Sequence, residues 1–306
     1  MQASLFPDEP APAPAGIPLS ARIKVGCAGW SLPRALWPEF PADGTHLQRY
    51  AARFNAVEIN SSFYRPHQTT TYARWSASVP GHFRFSVKLP KTITHQQRLT
   101  DCAGLLDDFL AQAGGLGEKL GCLLVQLPPS LAFDAALVRD FLRLLRERHS
   151  GSVALEPRHA SWFTAPADPL LDAWQVGGVL ADPVVHEAGR LPGGFAGLVY
   201  ARLHGSPRMY YSAYDRAVLD ALAARLRLAA TLDADVWCIF DNTAEGAAIE
   251  DALYTVQGLG WPGAEPAGLL PSAELLGQEG QRALTRQIGC GLVIGRALVA
   301  VEAVVG

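Results

Sequence analysis

The sequence predicts an α/β fold, and within that class a single-domain (β/α)8 barrel, from three observations. Short apolar runs recur eight times between residues 23 and 241, most are followed by a stretch of helical periodicity, and each closes on a polar or glycine-rich turn. Alternating strand and helix signals favour a parallel sheet covered by helices. Eight repeats select a barrel over an open sheet, and 306 residues suffice for one, since such barrels usually fill about 250 residues.

Residues 1–20 carry Pro7, Pro10, Pro12, Pro14 and Pro18 among alanines, with no basic region leading into an apolar core. They read as a disordered tail and not as a signal peptide. The strand runs then fall at 23–28, 56–60, 83–88, 122–127, 153–156, 178–182, 198–204 and 236–241. Two of them, LLVQL and VWCIF, are almost continuously apolar, as parallel strands buried on both faces are. Behind Thr45 as N-cap, Leu47, Tyr50, Ala51 and Phe54 fall at i, i+3, i+4 and i+7 of a helix. Asp134 caps a helix carrying Leu137, Phe141 and Leu144, and Leu219, Leu222, Leu226 and Ala229 mark another. The barrel spans 21–262. Residues 263–306 are an extension, either an added helical segment or a loosely packed tail. Arg286, Arg296 and Glu302 interrupt its apolar stretch before the about 20 residues that a membrane span needs, so no membrane association is expected.

A net charge of −3 argues against a protein that binds nucleic acid by bulk electrostatics, leaving only a local basic patch for that role. The cysteines are Cys27, Cys102, Cys122, Cys238 and Cys290. Their odd number, their place inside predicted strands for Cys27, Cys122 and Cys238, and the lack of CxxC spacing point to buried thiols in a reducing, cytoplasmic setting. Gly114-Gly115-Leu116-Gly117 sits at a helix exit, not in a strand-turn-helix, and no Gly-x-Ser-x-Gly elbow occurs. No cofactor is expected.

Barrel enzymes place their chemistry at the carboxyl ends of the strands. In Glu156-Pro157-Arg158-His159, proline forces a sharp exit that turns the carboxylate to the mouth, where it can act as general acid or base. The plainer reading is a rim ion pair between Glu156 and an arginine, with His159 capping. In Arg202-Leu203-His204-Gly205, alternation puts Arg202 and His204 on one side. Arg202 then suits a bidentate anion contact and His204 a proton shuttle, or both belong to a network that orients Glu156 or Asp182. The catalytic candidates are Glu156, His204, Asp182 and Asp241. Those expected to bind substrate are Trp30, Asn60, Tyr64, Arg65, Lys88, Gln126, Arg158, His159, Arg202, Tyr214 and Asn242. Charges of both signs, Glu58 included, should pair around a wet pocket. The expected ligand is an anionic small molecule or nucleotide, bound by a metal-independent acid/base enzyme. The alternative is a non-catalytic barrel that uses the same ring to recognise nucleic acid or a small molecule.

Six ordered motifs accumulate: Val25-Gly-Cys-Ala-Gly-Trp30-Ser31, Glu58-Ile-Asn-Ser-Ser-Phe-Tyr64-Arg65, Phe83-Arg-Phe-Ser-Val-Lys88 with Thr92-Ile-Thr-His95, Glu156-Pro-Arg-His159, Arg202-Leu-His-Gly205 and Phe240-Asp-Asn-Thr-Ala-Glu-Gly246. Over about residues 23–260 the chain closely resembles the YecE-like family of the domain of unknown function 72. The resemblance implies a TIM barrel and no particular reaction. Beyond Pro262 no family motif follows. Endonuclease IV-like barrels, by contrast, hold zinc through an acid-x-x-His and an Asp-x-His at strand ends. Glu156-x-x-His159 resembles the first, but Arg202-x-His204 places a cation where the second supplies an acid, and Lys88 and Gln126 also stand where ligands are wanted. Fixed cations oppose a tight zinc site, so no transition metal is expected; a metal-dependent phosphoesterase remains the alternative.

Overall fold

The computed structural model describes residues 22–164 and 166–261; the proline-rich start and the 263–306 extension lie outside them. The strands are β1 (Ile23–Cys27), β2 (Ala56–Ile59), β3 (Arg84–Lys88), β4 (Leu120–Gln126), β5 (Ser152–Glu156), β6 (Val176–Gly178), β7 (Leu180–Asp182), β8 (Gly193–Gly194), β9 (Leu198–Leu203) and β10 (Asp235–Phe240). They form two sheets, in the orders β1-β10-β9-β7 and β2-β3-β4-β5-β6-β8, with every pairing parallel except β6 with β8.

Side chains bind the two sheets together where ladder bonds run out. Ala28 and Glu58 form an isolated parallel bridge between the ends of β1 and β2. Below it, Asn55 accepts from the Val25 amide at 2.9 Å and donates to the Ile23 carbonyl at 2.8 Å. The Tyr50 hydroxyl accepts from the Cys27 amide at 2.7 Å and donates to the Ala56 carbonyl at 2.9 Å. Gly26 permits this approach, because a Cβ there would collide with the Ala56 carbonyl and the Tyr50 hydroxyl. At the other seam only Val179 separates β6 from β7, and its amide still donates to Leu155 at 2.9 Å.

The α-helices are α1 (His46–Ala51), α2 (Ser61–Tyr64), α3 (Thr69–Ala77), α4 (Ala103–Ala113), α5 (Ala135–Arg146), α6 (Ala167–Ala173), α7 (Arg216–Thr231) and α8 (Ala247–Gly258). Thr45 and Gln48 form a capping box on α1, and Asp134 caps α5 through the Ala136 and Leu137 amides. The buried stripe of α5 is Val138, Phe141, Leu142 and Leu145, one position round from the Leu137 and Leu144 that the sequence put inward. The sixth repeat departs further. Its run 178–182 is two short strands beginning at Val176, and no α-helix follows Asp182. Pro183 and a 3-10 turn at Glu187–Arg190 lead instead to β8, which folds back on β6. Glycines on both partners make this close pairing possible, since a Cβ on Gly178 would stand 3.0 Å from the Gly193 carbonyl oxygen.

A second apolar cluster, distinct from the main core, lies between the sheets. It contains Ala56, Cys122, Leu124, Ala154, Tyr200, Trp237 and Ile239, with Tyr200 and Trp237 stacked at 5.9 Å. Strand alternation continues four of these positions upward by two residues into charged side chains. Ala56 leads to Glu58, Ala154 to Glu156, Tyr200 to Arg202, and Ile239 to Asp241. The apolar cluster is thus the floor of a charged layer.

Candidate active site

Arg202, 1% exposed, is the centre of that layer. Its Nη2 and Nε donate to Glu58 at 2.6 and 3.0 Å, its Nη1 to Glu156 Oε2 at 2.9 Å, and Nη2 also meets Asp241 Oδ2 at 3.0 Å. One guanidinium fork therefore ties β2, β5 and the end of β10 to β9. Glu58 takes a further bond from the Tyr200 hydroxyl at 2.8 Å, and the Ser86 hydroxyl stands 2.8 Å from the same phenol oxygen. Three carboxylates around one buried cation leave negative charge over, and Arg158 offsets part of it through an ion pair with Glu156.

His204, fully buried, stands between Glu156 and Asp241. Its Nδ1 is 3.0 Å from Asp241 Oδ2, which fixes the Nδ1–H tautomer by partner. Its Nε2 lies 3.2 Å from Glu156 Oε1 and 2.9 Å from Arg158 Nη2. Unprotonated, that nitrogen can accept from Arg158; protonated, it can donate to Glu156. The ring can gain or lose a proton with partners already in place for both states. Burial alone would push His204 down, but its hydrogen bonds to Asp241 and Glu156 prevail and raise it above the usual imidazole value. Burial likewise works to raise Glu156 and Asp241, yet Arg202 and His204 hold both below the usual carboxylate range, Glu156 well below.

Lys88 differs from the arginines. Only 7% exposed, it makes no ion pair or side-chain hydrogen bond among the described residues, and its ammonium lies 4.3 Å over the Phe63 ring. Burial and the Arg202 charge bring it down to about 8, against partial opposition from Glu58, Glu156 and Asp241. Nearby, Asn60 donates to Asp241 at 3.4 Å while its own Oδ1 is buried without a partner, as is Arg158 Nε. Gln126, at the end of β4, makes no side-chain hydrogen bond among the described residues.

Residues 24–274 match the family model described as "Protein of unknown function DUF72". The chain belongs to the DUF72 family. It is 35% identical over 106 residues to UPF0759 protein YecE of Escherichia coli K12, a stretch covering 35% of this chain and 38% of that protein. It is 29% identical over 154 residues to UPF0759 protein YunF of Bacillus subtilis 168, covering 47% of this chain and 53% of that one. The matched stretches thus span well under two thirds of either relative. A DUF72 protein of Enterococcus faecalis V583 superposes with a TM-score of 0.64 at 20% identity, covering 78% of this chain and 96% of that one. A second, from Thermotoga maritima MSB8, gives 0.62 at 24% identity, covering 78% and 99%. These likenesses establish the shared fold.

In this DUF72 chain the residues expected at the site fall into two groups. Glu156, His204, Asp241, Arg158 and Arg202 meet in one network, with Asn60 bonded to its edge and Lys88 near enough for its charge to be felt there. The others stand apart. Asp182 receives the Tyr214 hydroxyl at 2.8 Å, and that hydroxyl also accepts from the Gly205 amide, so the pair braces the loop after β9. Asn242 is turned to the Ser212 carbonyl and to Asp251, and His159 caps its own turn through the Ser161 amide. Trp30 packs edge-on against Trp75, Arg65 is exposed, and Tyr64 is 71% exposed. Tyr200, which holds Glu58, is absent from the residues that the sequence singles out, whereas Tyr210, one of the tyrosines the sequence offers as an aromatic wall, stands edge-on to His204 at 5.6 Å. Tyr200 carried a signal, since it precedes Arg202 by one alternation. Among the described residues no group of three or more His, Cys, Asp or Glu is arranged to hold a metal ion, and no helix is long and apolar enough to cross a membrane. Cys27, Cys102, Cys122 and Cys238 are buried free thiols.

The charged layer should shape the pH dependence of stability. Glu156 and Asp241, both depressed, contribute stability that is lost as the pH falls through their lowered values. His204, raised above 6.5, contributes stability that is complete below that value and lost as the pH rises through its folded one. Asp251, pushed by burial from 3.8 up to about 6, costs stability as the pH rises between those values. The joint maximum of these groups is therefore expected in the mildly acidic range, with a fall on either side until about pH 8, beyond which Lys88, lowered to that value mainly by burial, returns stability as the pH rises. Thermal melts across the acid to alkaline range check it, and a flat profile contradicts it.

Proposed function

We propose that this chain is an enzyme that acts on an anionic small molecule, phosphate-bearing or nucleotide-like, by metal-independent proton transfer at the carboxyl ends of its strands. In this reading the two sheets close into one eight-stranded barrel, with residues 176–182 serving as the sixth strand on both sides of Val179. The observation that carries it is the His204 ring, with acceptors on Glu156 and Asp241 and a donor on Arg158 already placed for both protonation states. His204 and Glu156 move the proton, Asp241 orients the ring, and Arg202 supplies the fixed positive charge that keeps both carboxylates ionised. Arg202 has no open face left for a ligand, so the anion is taken by Arg158, through its unpartnered Nε, with Lys88, Asn60 and Gln126 alongside. These four stand at the ends of β2 to β5, so in this reading the substrate lies over that side of the mouth.

Titration calorimetry with inorganic phosphate and citrate tests the anion site. Arg158→Ala should weaken the tighter of the two by about 1.5–3 kcal/mol, the usual worth of a charged hydrogen bond. Equal affinity in both proteins would make Arg158 a purely structural partner of Glu156.

A further inference from the structure

We propose that Lys88 is a covalent catalytic amine, whose Nζ forms an imine with the carbonyl carbon of a substrate that also carries an anionic group. This deepens, and rests on, the enzymatic reading of the same mouth. Four lysines occur in the chain, at 24, 88, 91 and 119. Lys24 is ion-paired with Asp235, and Lys119 donates to the Ser76 and Val79 carbonyls at 2.6 and 2.7 Å. Lys88 is the one that closes a strand at the mouth, buried on an aromatic face with no acceptor on its nitrogen. Glu58, Glu156 and Asp241 are paired instead with Arg202 and His204. A desolvated lysine beside another cation is the usual way to obtain a nucleophilic amine at neutral pH. At about 8, roughly a tenth of it is free base at pH 7.

The segment after β3 has an unusual backbone. Thr92–Gln96 forms a π turn, a rare conformation found frequently at functional sites, and beyond it Arg98, Leu99 and Asp101 take left-handed φ of 51°, 70° and 47°. The π turn carries His95, whose ring is edge-on to Phe63 at 4.9 Å, so His95 and Lys88 share one aromatic neighbour. Burial and, after it, the Lys88 charge lower His95, so its imidazole gives up a proton more readily than a free one.

The chemistry balances within this group. His95 takes one proton from the Lys88 ammonium. The freed lone pair attacks the carbonyl carbon, the C–N bond forms, and the C=O π pair moves to oxygen. A second proton passes from Nζ to that oxygen, giving a carbinolamine. The proton on His95 then goes to the hydroxyl, which departs as water while the nitrogen lone pair closes the C=N bond of a protonated imine. Hydrolysis runs the same steps backwards. The anionic group of the substrate faces Arg158.

Borohydride trapping tests this, with pyruvate and glycolaldehyde phosphate as separate probes that distinguish a carboxylate from a phosphate as the anionic group. After reduction, peptide mapping reads occupancy at all four lysines. The expected result is a secondary amine at Lys88 in about tenfold or greater excess over Lys91, as an imine confined to the Lys88 site requires. The signal should vanish in Lys88→Arg, which keeps the charge but cannot form an imine, and persist in Lys91→Arg. Equal labelling of Lys88 and Lys91, or no adduct at Lys88 with either probe, overturns the imine. Inorganic phosphate calorimetry on the same preparation separates the two readings. Phosphate binding without an adduct removes the imine alone, whereas loss of both removes the anion site with it.

Discussion

Arg202→Met is expected to destabilise the protein by about 3–5 kcal/mol at neutral pH, because removing one partner of a buried ion cluster leaves uncompensated charge in the interior. Here the loss is compounded. Glu58, Glu156 and Asp241 all converge on this guanidinium, and among the described residues Arg158 on Glu156 is the one other fixed cation in contact, with the titratable His204 ring between Glu156 and Asp241. Methionine fills much of the volume, so the cost reports charge more than cavity. The sign of the pH dependence identifies the cause. Without Arg202 the buried carboxylates should titrate higher than in the unfolded chain, so the native state binds the extra protons and stability falls as pH rises. The variant should recover part of its loss in acid, where the parent protein is losing stability. Urea melts of both proteins in acidic and neutral buffer make the comparison. A loss that is the same at every pH would assign the damage to packing, and no loss would remove Arg202 from the centre of the layer.

That arginine also marks the limit of what the chain discloses on its own. Period-two alternation was enough to place Arg202 and His204 on one side of one strand, and strand ends located Glu156, Lys88 and Asp241 correctly relative to the polar layer. Alternation does not reveal which cations are spent. The fork of Arg202 is filled by Glu58, 144 positions away in sequence, and that pairing exists only once β2 and β9 face each other. The open anion fork expected at Arg202 is therefore absent, because its donors are taken by Glu58, Glu156 and Asp241. Other departures were local and readable. His159 precedes Ser161 by two residues, the spacing at which a side-chain acceptor caps its own turn. Gly177-Gly178 and Gly193-Gly194 could be read as strands able to approach closely, and Pro183 as the stop that prevents a sixth helix. The π turn that carries His95 has no comparable sequence signature.

Glu156→Gln should separate a proton-transfer role from a counter-ion role. The amide keeps the shape of the carboxylate but removes its charge from beneath three donors, Arg202 Nη1, Arg158 Nη2 and His204 Nε2. One face of the amide now presents N–H to those donors, so a loss of stability of about 3–5 kcal/mol is expected, the range for breaking a buried pair. His204 should move as well. Glu156 raises it both by hydrogen bond and by charge, so its removal leaves burial and the Arg202 charge opposed only by Asp241, and the ring should lose its proton at lower pH. On the proposed enzymatic reading, turnover should fall by about 10²–10⁴-fold, the usual worth of a positioned acid or base. NMR titration of the His204 ring in parent and variant reads the decisive quantity without a known substrate. A variant that loses stability but titrates His204 as the parent does would confine Glu156 to balancing the arginines. A lowered His204 value together with lost stability is the result that the two-state geometry at Nε2 requires.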